Sequence, residues 1–310
     1  MSSKPVILII GPTGVGKTEM AVELAEQLDG EIVSADSRLF YVGMDIGTAK
    51  PSGEQRGRVP HHCIDIASPD QLVSLSEYRR LAGAAIDAIH SRGRLPIVVG
   101  GTGQYARALT QGWEPPAVKA NPRLRSVLDH LGAERGADWL HAGLRRMDPA
   151  AAAGIDARNA RRTIRAIEVI FATGCRFSDL RARGELGYRF VAVGLRRPRE
   201  ELYARIDERI ERMFEHGLLD EVRRLVELGL TPDYPSMSAI GYAEAIAVLQ
   251  GRLDVEAAKV AMRKATRILV RRQDTWFRRS GREVEWFDMK DSTSRQIAEH
   301  IMERIVVGNA

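Results

Sequence analysis

The sequence predicts an α/β fold in which a parallel β-sheet carries helices on both faces. Short β-branched apolar runs alternate with amphipathic helical segments over the first 103 residues, and this alternation is typical of a parallel sheet. A phosphate-binding pattern directly follows the first apolar run. Residues 113–187 then show only helical patterns before an apolar strand returns. We therefore expect a core domain of residues 1–115 and 188–310, interrupted by an all-helical insertion domain of residues 116–187.

The first half of the core reads as strand, helix, strand, helix, strand. "PVILII" (5–10) is short, β-branched and ended by a glycine, which predicts a buried strand. "KTEMAVELAEQL" (17–28) places its apolar residues on one helical face, and "EIVSAD" (31–36) predicts a second strand that ends in an acid. Residues 75–93 predict a helix with a glycine just after its end, and residues 94–103 predict a strand that enters a glycine turn.

The second half of the core is mostly helical. "YRFVAVGL" (188–195) predicts the strand to which the chain returns, so the insertion lies between two strands of one sheet. Helical patterns follow from residue 199 into a long basic stretch. "EVEWFDM" (283–289) predicts a last edge strand, and a closing helix extends to about Val307.

Composition favours a cytoplasmic globular protein. The 310 residues are 44% apolar and 28% charged, which is ordinary for a soluble domain. No apolar run approaches the roughly 20 residues that span a bilayer, and the N-terminus lacks the layout of a signal peptide. The two cysteines, Cys63 and Cys175, form neither a disulfide framework nor a metal-ligand pattern. "HHC" (61–63) lacks a second pair of ligands, so we expect no zinc site there.

Two basic clusters suggest a nucleic-acid partner. The net charge is only +5, but residues 158–165 hold four arginines and no acid. Residues 263–279 hold seven basic residues and one acid, Asp274, together with the sequence "TWF". Such clusters attract phosphate backbones, although a single charge run is more often a solvated helix face. Both interpretations remain open from the charges alone.

Residues 11–18, "GPTGVGKT", fit the pattern G-x-x-x-x-G-K-[ST] between a predicted strand and a predicted helix. In this arrangement backbone N–H groups and the helix N-terminus bind phosphates. Lys17 adds a point charge, and the hydroxyl of Thr18 is suited to Mg²⁺. The predicted phosphate-binding residues are Gly11, Pro12, Thr13, Gly14, Val15, Gly16, Lys17 and Thr18.

Asp36 ends the second predicted strand about 18 residues after the loop. If the first two strands are neighbours, Asp36 lies beside the phosphates as a metal ligand or a general base. It can alternatively cap the following turn. Arg205 and Arg209 lie four residues apart on one helical face and can reach a diphosphate. Spacing alone favours surface pairs with acids of the same helix, Glu201, Asp207 and Glu208.

Several stretches together resemble the tRNA dimethylallyltransferase family, also called tRNA isopentenyltransferases. Besides the phosphate loop they are residues 32–52, 61–69, 96–109, 161–169, 238–244 and 271–279, in the order of the family. "DIGTAKP" (45–51) and "GGTGQY" (100–105) are more specific than the phosphate loop. The resemblance implies a kinase-like core of the P-loop NTPase type and covers nearly the whole chain.

The resemblance also implies a reaction. The family transfers the dimethylallyl group of dimethylallyl diphosphate to the exocyclic amine of an adenine just 3′ of a tRNA anticodon. Diphosphate leaves, Mg²⁺ assists, and the product is isopentenyladenosine. The helical insertion would grip the anticodon stem-loop, and we expect a monomer.

Site residues follow from the same resemblance. Asp36 matches the proposed base, while Thr13, Lys17 and Arg209 match residues that contact or balance the diphosphate. The positions that match tRNA contacts are Asp36, Ser37, Arg38, Leu39, Thr102, Arg125, Arg161, Arg162, Thr163, Ile164, Arg165, Gly241 and Tyr242. Arg162 and Arg165 can also be salt-bridge partners within a helix. The sequence departs from many relatives at Leu39, where they carry glutamine, and at Ala243, where they carry a basic residue.

Three other functions remain to be distinguished. An adenylate isopentenyltransferase uses the same donor on free AMP, but has less need of the insertion and the basic C-terminal helix. A small-molecule P-loop kinase would need an acceptor pocket and a lid arginine pair. An RNA-binding ATPase would bind ATP and change its affinity for RNA without modifying it.

Overall fold

The computed structural model describes residues 4–101, 103–110, 113–114, 116, 118–180, 182–183, 187–278 and 284–307. The chain divides into a core unit, Met1–Thr110 with Leu186–Ala310, and a helical unit, Gln111–Glu185. These boundaries lie a few residues before those expected from the sequence. Within the described residues, no helix has both the length and the apolar character needed to cross a membrane.

The strands form one large parallel sheet and one small antiparallel pair. The sheet of six strands belongs to the core unit, and the pair belongs to the helical unit. In chain order the strands are β1 (Lys4–Ile10), β2 (Gly30–Ser34), β3 (His61–His62), β4 (Leu95–Gly100), β5 (Trp113–Glu114), β6 (Ala182–Arg183), β7 (Tyr188–Arg196) and β8 (Val284–Asp288).

The helices account for most of the remaining chain. They are α1 (Lys17–Gln27), α2 (Gly53–Arg58), α3 (Leu75–Ser91), α4 (Gly103–Thr110), α5 (Pro122–Arg135), α6 (Ala137–Met147), α7 (Pro149–Ala153), α8 (Ala160–Thr173), α9 (Arg199–Glu215), α10 (Leu218–Glu227), α11 (Tyr242–Leu249), α12 (Val255–Arg278) and α13 (Ser294–Val307). A single 3₁₀ turn covers Ser236–Ser238. The predicted α/β class is confirmed, as is the edge strand that ends the sheet.

The order of the large sheet is β3-β2-β4-β1-β7-β8. The first two strands are not neighbours, the condition under which Asp36 was placed beside the phosphates, because β4 lies between them. β1 pairs with β4 on one side and with β7 on the other, leaving no free edge for β2. All three strands β1, β2 and β4 still end at the same edge, since their pairing is parallel. The segments that follow them therefore meet there.

A close backbone approach joins two of these segments. The N–H of Ala35, just after β2, donates to the carbonyl of Val99 in β4 at 2.7 Å. A Cβ atom on Gly100 would lie 2.5 Å from the carbonyl oxygen of Ala35. Glycine is thus required at position 100 so that the chain can pass this close to the residue before Asp36.

The helical unit has a core of its own. Buried apolar residues of α5, α6 and α8 form it, including Leu128, Leu140, Leu144, Ile164 and Ile167. The unit is not all-helical as expected, because β5 and β6 pair in antiparallel fashion, Trp113 opposite Arg183. Two residues per strand are too few to show a period-2 pattern in the sequence.

Candidate active site

The phosphate loop has the geometry of an anion cradle. Gly14 and Gly16 adopt φ values of 86° and 103°, a region that favours glycine, and Gly16 is the N-cap of α1. The N–H groups of Gly14 and Gly16 donate no hydrogen bond within the described residues. They remain available for an anion, together with the positive end of α1.

Cationic side chains hold the carbonyl groups of the loop. Lys17 Nζ donates to the carbonyls of Gly11 and Pro12, both at 2.9 Å. Arg205 Nε donates to the carbonyl of Gly14 at 2.9 Å, and Arg197 Nε to that of Val15 at 3.1 Å. Because these four carbonyls are bonded to cations, the loop is held in place, and the N–H groups of Gly14 and Gly16 stay free within the described residues.

The ammonium group of Lys17 loses its proton at a lower pH than an ordinary lysine does. Burial lowers the pKa of its amine to about 8, although the nearby Asp36 carboxylate opposes this shift and Arg209 adds to it. An anion bound in the loop would stabilise the ammonium form. Lys17 thus responds electrostatically to the occupant of the phosphate loop.

Asp36 caps the following turn and keeps one carboxylate oxygen free within the described residues. One carboxylate oxygen, Oδ1, accepts the N–H of Arg38 at 3.0 Å, so the side chain does cap the turn after β2. The other oxygen accepts no hydrogen bond within the described residues. The side chain is half-buried, and its charge acts on Lys17 and Arg209. An oriented carboxylate with one free oxygen is suited to accept a proton.

Arg209, on α9, is a half-buried cation. Its guanidinium makes no hydrogen bond or ion pair within the described residues. Burial lowers its pKa, while Asp36 opposes the shift. A partly desolvated guanidinium with free donors is suited to a phosphate group.

The surface pairs expected for the two α9 arginines are wrong. Arg205 bonds instead to Gly14 of the phosphate loop and to Glu19 of α1. The acids of α9 have other partners: Glu201 pairs with Arg197, Asp207 with Arg263 and Arg267, and Glu208 with Arg212. Contacts with other elements decide the partners of Arg205 and Asp207, whereas Glu208 and Arg212 form an (i,i+4) pair within α9.

Gln273, on α12, joins two segments at the site and was missed by the sequence analysis. Its Oε1 accepts the N–H of Thr13 at 2.9 Å, and its Nε2 donates to the carbonyl of Gly101 at 2.9 Å. The side chain is buried. In the sequence it is an uncharged polar residue inside a basic helix, within the stretch 271–279 that resembles the family.

The glycines of "GGTGQY" accommodate this helix. A Cβ atom on Gly101 would lie 2.7 Å from Gln273 Nε2, and one on Gly103 would lie 2.0 Å from the ring of Trp276. These positions therefore permit α12 to pack against the end of β4. The predicted RNA contact at Thr102 lies outside the described residues.

An aromatic cluster stands near Asp36. The rings of Phe40, Tyr78 and Tyr105 contact one another at centroid distances of 4.8–5.5 Å. Burial raises the pKa of Tyr105 to about 12 and holds the pKa of Tyr78 well above its ordinary value. The cluster therefore presents neutral phenols and apolar ring faces.

The "DIGTAKP" motif anchors the segment after Asp36. The buried Glu221 carboxylate accepts the N–H groups of Asp45, Ile46 and Gly47 at 2.7–3.0 Å and the hydroxyl of Tyr242 at 2.7 Å. A Cβ atom on Gly47 would lie 2.6 Å from the Tyr242 ring. This motif is thus a structural joint between two parts of the core unit.

The joint corrects the expectation that residues 241–242 contact RNA. Tyr242 is fully buried and Gly241 is buried as well, so neither offers surface for such a contact. Ser37, Arg38 and Leu39 keep partial exposure. Arg38, however, already donates to the carbonyl of Pro235 and to Ser238 Oγ.

In the helical unit, the predicted RNA-binding residues separate into two groups. Arg125 and Arg165 both pair with the buried Glu168, Arg125 through two bonds of 2.9 and 2.8 Å and Arg165 at 2.6 Å. Burial opposes ionisation of Glu168, but the bonds from Arg125, the Asn121 N–H and Arg165 outweigh it and lower its pKa to about 2. These two arginines are structural.

The other residues of the stretch 161–165 differ in their exposure to solvent. Thr163 and Ile164 are buried in the core of the helical unit, which leaves no side-chain surface for RNA. Arg161 and Arg162 are exposed, and their guanidinium groups make no bond within the described residues. Within the described residues, Arg161 and Arg162 are thus the arginines of this stretch whose guanidinium groups have no partner.

The basic stretch of α12 is partly neutralised. Arg263 pairs with Glu211 and Arg267 with Asp207 of α9, the latter at 2.7 Å. Lys264, Arg271 and Arg272 are exposed and unpaired within the described residues. The side chain of Arg278 and all of Arg279 lie outside the described residues.

The described residues contain no cluster of three or more His, Cys, Asp or Glu side chains that could hold a metal ion. In the "HHC" stretch, His62 Nε2 lies 2.6 Å from the Glu31 carboxylate. Thr18 is half-buried, and its hydroxyl makes no hydrogen bond within the described residues. That hydroxyl is a possible ligand for a cation that a bound diphosphate would also hold.

Comparison with known proteins links this geometry to one family. The family model described as IPP transferase matches residues 39–280, and the one described as isopentenyl transferase matches residues 4–58. A tRNA dimethylallyltransferase of Thermomicrobium roseum is 49% identical over 286 residues, covering 92% of this chain and 87% of the relative. One from Roseiflexus sp. is 51% identical over 275 residues, covering 89% and 90%.

Solved structures agree. The tRNA isopentenylpyrophosphate transferase of Bacillus halodurans matches with a TM-score of 0.72 and 39% identity, over 99% of this chain and 97% of that one. A eukaryotic dimethylallyltransferase described as acting on tRNA matches with a TM-score of 0.81 and 25% identity, over 98% and 80%. The resemblance inferred from the motifs is thus confirmed, and the chain belongs to the IPP transferase family, whose similar members are named tRNA dimethylallyltransferases.

Proposed function

We propose that this protein transfers a dimethylallyl group from dimethylallyl diphosphate to the exocyclic amine of the adenine just 3′ of a tRNA anticodon. The observation that supports the proposal is one cluster of charged side chains. The phosphate-loop Lys17, the unpaired Arg209 and the Asp36 carboxylate act on one another electrostatically. The site thus combines groups for an anionic leaving group with a base for the attacking amine.

The phosphate loop receives the diphosphate. The free N–H groups of Gly14 and Gly16 and the N-terminus of α1 bind its oxygens, and Lys17 and Arg209 offset its charge. The Thr13 hydroxyl, which makes no bond within the described residues, adds a donor. As the allylic C–O bond breaks, negative charge collects on the leaving oxygen. Donors fixed before the reaction stabilise that charge in the transition state.

Thr18 and the diphosphate oxygens would hold Mg²⁺, with Asp36 as the nearby carboxylate. Mg²⁺ usually binds through one or two protein oxygens, substrate phosphates and water. When bound, the ion supplies additional positive charge for the departing diphosphate.

Asp36 accepts the proton of the amine. The lone pair of an exocyclic adenine amine is drawn into the purine, so the amine is a weak nucleophile. As its N–C bond to the allylic carbon forms and the C–O bond to diphosphate breaks, the nitrogen must lose a proton. The free oxygen of Asp36 takes it, while Oδ1 remains bonded to the Arg38 N–H and orients the carboxylate.

The adenine must leave its stack in the anticodon loop to reach this carboxylate. Arg161 and Arg162 of the helical unit and Lys264, Arg271 and Arg272 of α12 are exposed cations free to bind RNA phosphates. Relatives described as acting on tRNA support this choice of acceptor over free AMP.

A transfer assay tests the proposal. The protein is incubated with Mg²⁺, labelled dimethylallyl diphosphate and unmodified tRNA, with AMP and ATP in parallel reactions. We expect label on the tRNA, and a 10²–10⁴-fold lower rate for Asp36→Asn, the usual range for loss of a general base. Asp233→Asn is the matched control, since Asp233 is exposed and unpaired within the described residues.

The other outcomes each point to a rival. Label on AMP would identify an adenylate isopentenyltransferase. Consumption of ATP without label on either acceptor would favour a kinase or an RNA-binding ATPase. Transfer to tRNA with full activity in Asp36→Asn would keep the reaction but remove Asp36 as its base.

A further inference from the structure

We propose that Gln273 is a positioning residue for the leaving group, because it determines which atoms of Thr13 face the diphosphate. The proposal rests on the proposed function, which places a diphosphate in the phosphate loop. It concerns a residue of α12 that belongs to none of the motif positions assigned to substrate above.

The side chain of Gln273 accepts one hydrogen bond and donates another. The N–H of Thr13 needs an acceptor, and the carbonyl of Gly101 needs a donor; Gln273 supplies both at 2.9 Å. A primary amide is the neutral side chain that presents a donor and an acceptor side by side. Asparagine has the same group on a shorter side chain, so it would not span the distance from α12 to both partners.

The backbone N–H and the hydroxyl of Thr13 differ in what they can bind. Its N–H is occupied by Gln273 and is not free for a phosphate oxygen. Its hydroxyl makes no bond within the described residues. The backbone of Thr13 is therefore held from the side of α12, and the hydroxyl is the group that remains for the diphosphate.

Gln273 also lies close to Lys17. A Cβ atom on Gly101 would be 2.7 Å from Gln273 Nε2 and 3.4 Å from Lys17 Nζ, so both nitrogens lie against the same glycine. A neutral amide leaves the ammonium free to bind an anion. A carboxylate at position 273 would compete with the diphosphate for Lys17 and would also face the carbonyl of Gly101.

The test compares Gln273→Met, which keeps the length but removes both bonds, with Gln273→Glu, which adds a charge. The Kd for inorganic diphosphate is measured by calorimetry with Mg²⁺ present, and kcat and KM are measured for dimethylallyl diphosphate and for tRNA. We expect the diphosphate Kd and the donor KM to rise 5–30-fold in Gln273→Met and further in Gln273→Glu. The KM for tRNA should stay within about twofold, since RNA does not bind the phosphate loop.

The charge of the substituted side chain separates positioning from a merely structural role. Gln273→Glu should raise the diphosphate Kd more than Gln273→Met does, because its carboxylate would lie beside Lys17 and repel the diphosphate. Equal diphosphate Kd values in the two variants would mean that position 273 only stabilises the packing of α12. Gln250→Glu is the matched control, because the Gln250 side chain is exposed and, among the described residues, bonds only to Arg252.

If α12 tolerates neither substitution, Gly101→Ala provides a second variant. The added methyl group would displace the amide of Gln273 without changing α12, and we expect the same loss of diphosphate affinity. Folded variants whose diphosphate Kd lies within twofold of wild type would overturn the proposal. Diphosphate binding needs no acceptor, so a wild-type protein that transfers nothing would disprove the proposed function and leave this test intact.

Discussion

Arginines stand beside a carboxylate in both units, but with opposite consequences. In the core unit, Arg209 is half-buried and unpaired within the described residues, and the charge of Asp36 acts on it without a bond between them. In the helical unit, Arg125 and Arg165 are bonded to the buried Glu168. The hydrogen-bond and ion-pair partners of an arginine, rather than its residue type, therefore distinguish a cation that is available to a substrate from one that stabilises the fold.

Substituting Arg209 tests this contrast with the largest expected effect. Arg209→Gln should lower kcat/KM for dimethylallyl diphosphate by 10²–10³, the range found when one donor to a developing anion is lost. The melting temperature should hardly change, because no bond is broken. Arg212→Gln, in the exposed pair with Glu208, is the control. A stability loss with normal turnover would place Arg209 with the structural arginines.

Substituting Glu168 should give the reverse result. Glu168→Gln leaves Arg125 and Arg165 without a counter-charge, and we expect a loss of about 3 kcal/mol in the free energy of unfolding of the helical unit. Urea unfolding measures it, with Glu134→Gln as the exposed control. Donor binding, tested with inorganic diphosphate, should be unchanged. An unaltered unfolding curve would contradict the structural role.

The protonation of Lys17 predicts how the affinity of the core unit for diphosphate changes with pH. Its pKa is lowered to about 8, so the amine is charged below that pH and neutral above it. Because diphosphate binding needs the charged form, the affinity should fall as pH rises through about 8, by up to about tenfold per pH unit. Lys17→Arg should abolish this alkaline decline, since arginine stays protonated. An identical decline in the variant would assign it to another group.

The smallest expected effect concerns the exposed arginines of the helical unit. Replacing Arg161 and Arg162 together with Gln should reduce the slope of log Kd for tRNA against log salt by about 1.4, or about 0.7 per lost contact to single-stranded RNA. The matched control replaces Arg145 and Arg146, an exposed pair on α6 of the same unit. Equal slopes for both double variants would argue against a specific contact at residues 161–162.

Much of the core could be predicted from local patterns. Apolar β-branched runs located β1, β2, β4 and β7, and the glycine spacing located the phosphate loop. β3 was missed because a strand of two residues shows no period, and it exists only through pairing with β2. The same reason hid β5 and β6.

Two specific motifs have explanations that no local pattern contains. The glycines of "GGTGQY" make room for Gln273 and Trp276, which lie about 170 residues later in the chain. The "DIGTAKP" segment requires glycine at position 47 because Tyr242 packs there, and Glu221 accepts its N–H groups. Resemblance could identify these motifs, but only the packing shows why those residues are needed.

The sequence by itself determined the fold class, the phosphate loop and the family, because each depends on residues that are close in the chain or on a recognisable order of motifs. The placement of β4 between β1 and β2 came only from the tertiary structure. Only the tertiary structure shows that Arg209 has no bonding partner within the described residues. It also shows that Arg125 and Arg165 bond to Glu168, and that Gln273 bonds to Thr13 and Gly101. Burial and long-range partners set the charge and orientation of a side chain, and these are properties of the packed molecule rather than of sequence spacing.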